Sequence, residues 1–419
     1  LAKPEKSLYW LMVVVMLLFA LLGVVHRGPS AALKGLLLLQ QHPARLINDF
    51  TVVGGVGAAL LNAALGGAFA LLLIRVTAVR LSGPTLAAVF TIMGFSLFGK
   101  TVLNMAPVVL GVYIAGFLVK KPFKNNIIIA LFGTALGPLI SFLAFETGFS
   151  PAQGVVIGIA GGTAAGLFLP ALARAMLRLH EGYNLYNVGL TAGFFGLFAA
   201  AVLKGFKHDL AITVVWNGEY SLLLCALIPL LSLLFIVWGL GMDGVGPAFK
   251  GLRSIQRLSG RLPSDFMEII SPGAALLNAG LLGLAGSLLV FAVDGDFNGP
   301  TLGGLLTVMG FALFGKNLRN TWPVVVGVLG ATLIYGKAPN APGPLLALLF
   351  GTTLAPLAGE FGPLVGIAAG FLHLTLVEQT AAWHGGMDLY NNGFAAGLVA
   401  TFLFAIIEWI RSNKPEKRA

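Results

Sequence analysis

One apolar run occurs twice in this chain, with its polar exceptions in register. Residues 83–111 read GPTLAAVFTIMGFSLFGKTVLNMAPVVLG and residues 299–327 read GPTLGGLLTVMGFALFGKNLRNTWPVVVG. Gly83, Pro84, Thr85, Gly94, Lys100, Asn104 and Pro107 return as Gly299, Pro300, Thr301, Gly310, Lys316, Asn320 and Pro323 at one constant spacing. Such matching marks an internal duplication, which constrains the fold more than any local signal. The correspondence extends outward. Gln40, Arg45, Asp49 and Asn62 pair with Gln256, Arg261, Asp265 and Asn278. Further on, His180, Leu185, Tyr186 and Asn187 pair with His384, Leu389, Tyr390 and Asn391. The chain divides into a first repeat, residues 1–212, and a second, residues 213–419, with the joint in the stretch 204–218.

Each repeat is dominated by apolar runs. Of 419 residues, 57% are hydrophobic and 10% are charged, against roughly 25% charged in soluble domains. Runs of this length read as membrane spans. Without water inside the bilayer, backbone groups must be satisfied within the segment, so the spans are helices. The first half predicts spans over 8–25, 52–74, 102–119, 126–145, 154–176 and 185–203, an amphipathic stretch over 31–49 and a short segment over 83–98. The second half repeats the order, with spans over 220–240, 272–293, 320–335, 343–357, 362–377 and 389–407, an amphipathic stretch over 248–265 and a short segment over 299–314. The run 8–25 has no small-residue cleavage site and a counterpart at 220–240, so it reads as a span rather than a signal peptide.

The basic residues orient the halves. If both short segments cross, each half has seven crossings, the halves are inverted, and about three-quarters of the 26 Lys and Arg fall on the side of the N-terminus. If both are re-entrant, the halves are parallel and the basic residues divide evenly. The positive-inside rule therefore favours inverted repeats with both termini cytoplasmic. The net charge of +10 is the same bias, and no basic cluster suited to nucleic acid accompanies it. Cys225 is the single cysteine, which excludes a disulfide framework and a thiolate metal site. Phosphate loops, nucleophile elbows and zinc-protease motifs are absent from the sequence. No catalytic residue, cofactor or metal is expected, and the chain does not read as an enzyme.

Inverted repeats with paired, glycine- and proline-interrupted short segments point to a solute site at the repeat interface. The candidates follow. Gly83-Pro84-Thr85 and Gly299-Pro300-Thr301 open the short segments, where free N–H groups favour an anion or a carbonyl. Lys100 and Lys316 close them; such lysines either cap carbonyls or stand at the mouth of a polar path. Asn104 and Asn320 cap the next span or offer an amide to solute. Asn62 and Asn278 lie inside apolar spans and need a partner. Tyr186-Asn187 and Tyr390-Asn391 start the last spans. Asp49 and Asp265 suit N-capping of the next span, and Glu146 and Glu360 stand near an edge. His180, His373 and His384 lack a third ligand at metal spacing.

The GPT…GF-x-LFGK…N-x-x-P-V-V pattern, with the later L-Y-N-x-G pair, resembles a bacterial family of two-copy integral-membrane proteins of unknown function, over almost the whole chain. That resemblance implies no activity. A weaker likeness is to urea transporters, carried by Asn298-Gly-Pro-Thr and by Gly182-Tyr-Asn-Leu-Tyr-Asn-Val-Gly; Ser82 replaces the Asn in the first copy, and there are too many spans per half. The resulting expectation is an all-α, multi-pass protein of the bacterial plasma membrane with two inverted repeats of about seven segments. It would pass a small polar or anionic solute through a central site. The alternatives are a passive urea-type channel, or a membrane assembly protein or lipid-modifying enzyme. The bilayer and a small solute are the expected partners, and glycine-rich helices leave a homo-oligomer open.

Overall fold

A computed structural model describes residues 3–413. Residues 1–2 and 414–419, with Lys414, Lys417 and Arg418 of the charge distribution, lie outside the described residues. Among the described residues, ten helices are long and apolar enough to cross a membrane. Four shorter apolar helices, Gly83–Phe95, Val102–Leu118, Gly299–Phe311 and Leu318–Ile334, complete the pattern. The described regular elements are all helical, and one isolated β-bridge joins Asn48 to Val215.

The order of elements in the first half recurs in the second. Local chemistry sets the helix ends. Ser82 and Asn298 precede the two short helices, and each side chain accepts the N–H of the Thr three residues on. The proline in the first turn needs no donor there. Thr101 with Asn104, and Asn317 with Asn320, form reciprocal capping boxes at the following helices, satisfying N–H groups that would otherwise be orphaned in a low-dielectric setting.

Two expectations need correction. The segments 126–145 and 343–357 are broken helices. The first runs as Ile127–Gly133, a 3₁₀ turn Thr134–Leu136, and Gly137–Phe145; the second as Pro342–Phe350, a 3₁₀ turn Gly351–Leu354, and Ala355–Phe361. Pro138 and Pro356 lack the N–H that would continue the ladder, and their rings exclude the carbonyl four residues back. The stretches expected to be amphipathic are helical over Pro29–Gln40 and Val245–Ile255, and then become loops that deliver Asp49 and Asp265 to the centre.

The two short helices pack against each other at the heart of the molecule, running antiparallel. Gly94 meets Gly303, and Gly310 meets Ala87. A Cβ on Gly94 would lie 2.7 Å from the Gly303 carbonyl oxygen, so this approach requires glycine. Longer helices surround the pair: Lys3–Arg27 against Val56–Val76, Leu222–Asp243 against Pro272–Ala292, Val102–Leu118 against Pro151–His180, and Leu318–Ile334 against Pro363–Trp383. The last helices of the halves, Asn187–Gly205 and Asn391–Ser412, cross at Gly189 and Gly393, whose backbones touch. The outer surface carries exposed Leu17, Leu21, Phe117, Val237 and Leu288, the composition a lipid-facing surface takes.

Candidate functional site between the two halves

The short helices, the broken helices and the Leu-Tyr-Asn segments enclose a cavity of about 430 Å³. Its wall is made of matched pairs: Thr91 and Thr307, Phe95 and Phe311, Phe132 and Phe350, Leu185 and Leu389, Tyr186 and Tyr390. Both halves therefore contribute to one space. The wall is largely aromatic and aliphatic. The hydroxyls of Thr91 and Thr307 donate to Ala87 O and Gly303 O, which leaves them as acceptors toward the cavity.

Behind the wall lie two buried ammonium groups. Lys100 and Lys316 are wholly buried. Lys316 Nζ donates to the Tyr186 hydroxyl at 2.6 Å and to Thr352 Oγ1 at 2.8 Å. Lys100 Nζ donates to Thr134 Oγ1 at 2.7 Å and to the Tyr390 hydroxyl. Each lysine of one half thus reaches the tyrosine of the other, and the threonine that completes each set sits on the 3₁₀ break of a split helix. The ammonium groups also lie over the rings of Tyr390 and Tyr186, at 4.4 and 4.6 Å. Cation–π attraction and two hydrogen bonds partly offset the cost of burying each charge. The lysines stand one layer back: the phenols, not the ammonium groups, face the cavity.

The remaining candidates divide by location. Pro84 and Asn187 line the cavity. Asn187 also accepts from His180 Nε2 through its amide oxygen at 2.9 Å and donates to Ala173 O, and Asn391 likewise accepts from His384 Nε2 and Thr380 and donates to Val377 O. Asn62 donates to the carbonyls of Ser96 and Lys100 and accepts from Gln40; Asn278 repeats this with Ala312, Lys316 and Gln256. These two amides clamp the turn that ends each short helix and leave no group toward the cavity. Asn104 donates to Gly99 O and Ser141 Oγ, and Asn320 to Ser259 O and Gly315 O. The Thr85 hydroxyl serves in its capping box, whereas the buried Thr301 hydroxyl has no hydrogen-bond partner. Gly83, Gly299 and Pro300 sit at the N-terminal ends of the short helices, off the cavity wall.

Asp49 and Asp265 reach across the molecule. Each caps its own next segment, Asp49 by accepting from Thr51 N–H and Asp265 from Met267 N–H. Asp265 also accepts the Gly83 N–H at 3.1 Å, and Asp49 Oδ1 packs against Gly299. Each half therefore supplies the anion at the positive end of the other half's short helix.

The two ends differ. Beside Gly83, the cavity extends to Ser264 and to exposed Arg174, Leu177 and Pro263. At the opposite end, beside Gly299, the joint between the halves packs over the N-terminus of the second short helix. Val215 pairs with the backbone of residues 47–49, Asn217 N–H and Nδ2 donate to Asp49 and Thr51, Asn298 Nδ2 donates to Asn217 O, and Trp216 Nε1 donates to Asp296. Asn48 and Asp49 are buried there, whereas their matches Ser264 and Asp265 are half-exposed. A chain with two like halves has one joint, so among the described residues the Gly83 end has no counterpart of this cover.

The spans, the paired short helices and the cavity between them define a polytopic helical membrane protein with matching halves and an internal site. The chain belongs to the family described as Protein of unknown function (DUF1576), which matches residues 28–205 and 246–409. No curated protein and no solved structure matches it. Sequence reasoning missed Thr134, Thr352, Thr91, Thr307 and the five phenylalanines of the wall, Phe95, Phe132, Phe311, Phe314 and Phe350. The duplicated Gly-Thr…Pro at 133–138 and 351–356 was the signal for the first two.

Proposed function

We propose that this chain is a carrier for a small organic anion with an apolar body, bound between two inverted repeats. The observation that carries the reading is the cavity itself: matched aromatic pairs from both halves line a space whose exposed lining, Arg174, Leu177 and Pro263, lies at one end, while the joint packs beside Gly299 at the other. One-sided access is what alternating access requires of a carrier at rest, with the two halves rocking about the Gly94–Gly303 contact. The aromatic wall suits an apolar body. The phenols of Tyr186 and Tyr390, polarised by the lysines behind them, suit an anionic or carbonyl end. This narrows the expected small polar or anionic solute. A urea-type channel is less favoured, because the cavity wall is mainly aromatic and aliphatic rather than polar. A lipid-modifying enzyme has little to draw on: His180 is engaged by Asn187, and Glu146 by Arg45 at 3.1 Å.

The test is uptake of radiolabelled benzenesulfonate, an aromatic ring with a permanent charge, into proteoliposomes carrying the full chain. Saturable uptake that falls at least about tenfold in Tyr186→Phe/Tyr390→Phe is the expected result, equivalent to about 1.4 kcal/mol of lost stabilisation. Rapid osmotic re-swelling in urea with no benzenesulfonate uptake would move the reading to the passive channel. Tight vesicles in both assays would move it to a non-transport role.

A further inference from the structure

The halves differ at one buried position beside the site. Asn184, two residues before Tyr186, is matched by Asp388, two residues before Tyr390. Both are wholly buried. Asn184 is fully engaged: its amide donates to Gly393 O at 3.0 Å, and its oxygen accepts from Tyr186 N–H at 3.0 Å and Thr353 Oγ1 at 2.7 Å. Asp388 keeps only part of this set. One oxygen accepts the Tyr390 N–H at 2.8 Å, and the other has no hydrogen-bond partner. The position matching Thr353 is Ala135, so the hydroxyl is missing too. A carboxylate can only accept, whereas the amide it replaces donates. A buried anion with a free oxygen is costly, and a proton on that oxygen both removes the charge and restores the donor.

The surroundings join this carboxyl to the cavity. Asp388 holds the Tyr390 backbone, the Tyr390 hydroxyl accepts from Lys100, and the Tyr390 ring lines the cavity. Lys100 is thus linked to Asp388 through Tyr390, whereas Lys316 is linked through Tyr186 to the uncharged Asn184. His384 is the other titratable neighbour. Its Nδ1 accepts the Asp388 N–H at 3.3 Å, and its Nε2 is engaged by Asn391.

We propose that Asp388 is a proton-binding site through which proton movement is coupled to solute movement; this rests on the carrier reading above. A proton from water bonds to the free carboxyl oxygen, giving an O–H that can donate to a backbone carbonyl as Asn184 does. On release the O–H bond breaks, the electron pair stays on Asp388, and the resulting charge faces Lys100. A solute anion approaching Tyr390 perturbs the same Lys100 charge, so anion and proton bind to one cluster. The first half, with Asn184, has no such site.

Two measurements on the reconstituted full chain test this. Infrared spectroscopy of wild type and Asp388→Asn should show a protonated-carboxyl C=O band that shifts in D₂O and is lost in the variant. Asn is the residue the first half already folds around, so the variant is expected to keep the fold, as circular dichroism would check. Identical carboxyl bands in both proteins would overturn the proposal. In vesicles containing a pH-sensitive dye, an imposed benzenesulfonate gradient should change lumenal pH with wild type, and Asp388→Asn should lose that change. Coupled proton movement persisting in the variant would also overturn it. If wild type moves no benzenesulfonate, the carrier reading fails, and the infrared comparison alone decides whether Asp388 binds the proton.

Discussion

Replacing Gly94 with Ala puts one carbon into the tightest helix crossing of the molecule. The new Cβ would sit 2.7 Å from the Gly303 carbonyl oxygen and 3.0 Å from its Cα. Ordinary contact begins at 3.4 Å, so the short helices must part by several tenths of an ångström. Neither clashing atom belongs to a side chain that could swing aside. Overpacking of a buried contact costs about 1–3 kcal/mol, and the gain in helix propensity returns up to about 1 kcal/mol. The expected net loss is about 1–2 kcal/mol, together with a change in cavity shape, since Phe95 and Phe311 follow the two helices. Gly330→Ala is the control. It lies within the helix Leu318–Ile334 with nothing within 4 Å of its Cβ position, so it keeps the propensity gain and meets no clash. Thermal unfolding in detergent should rank Gly330→Ala above wild type and Gly94→Ala below. If Gly94→Ala is as stable as Gly330→Ala, the close crossing of the short helices is wrong, and with it the placement of the cavity.

Other expectations follow from the same contacts. Asn62→Leu strands the Ser96 and Lys100 carbonyls at about 1–3 kcal/mol for each buried group left unmade; stability should fall by about 2–6 kcal/mol on chemical denaturation, whether or not solute is present. Burial raises the carboxyl of Asp49, in the loop before its span, to about 6, against about 3.9 in an unfolded chain. A raised carboxyl stabilises the fold fully below about pH 4 and loses that contribution as pH rises through about 6. Wild type should lose on the order of 3 kcal/mol across that window, and Asp49→Asn should be flat in a melting series. In a Cys225→Ser background, a cysteine at Ser264 should react quickly with an impermeant maleimide from the open face. A cysteine at Thr51, under the joint, should react slowly, and faster by about tenfold or more once Trp216→Ala removes the indole and its hydrogen bond to Asp296; equal rates at both positions would refute the covered end.

The sequence by itself determined a good deal. Composition and run length decided an all-helical membrane chain, because an apolar environment leaves the backbone no other partner. The duplication located the short helices and the residues around them, because Gly, Pro, Lys and Asn stand out against an apolar background. What lay beyond reach was any property of two distant segments at once. That Lys100 reaches Tyr390 and Lys316 reaches Tyr186, that Asp49 and Asp265 reach the opposite half, and that Asn62 and Asn278 secure helix ends are facts of tertiary contact. A polar side chain in an apolar run must find a partner, but the run does not say whether that partner is a carbonyl, a phenol or a solute. Only the folded arrangement of the two halves decided which side chains face the cavity, which stand behind it, and which end the single joint covers.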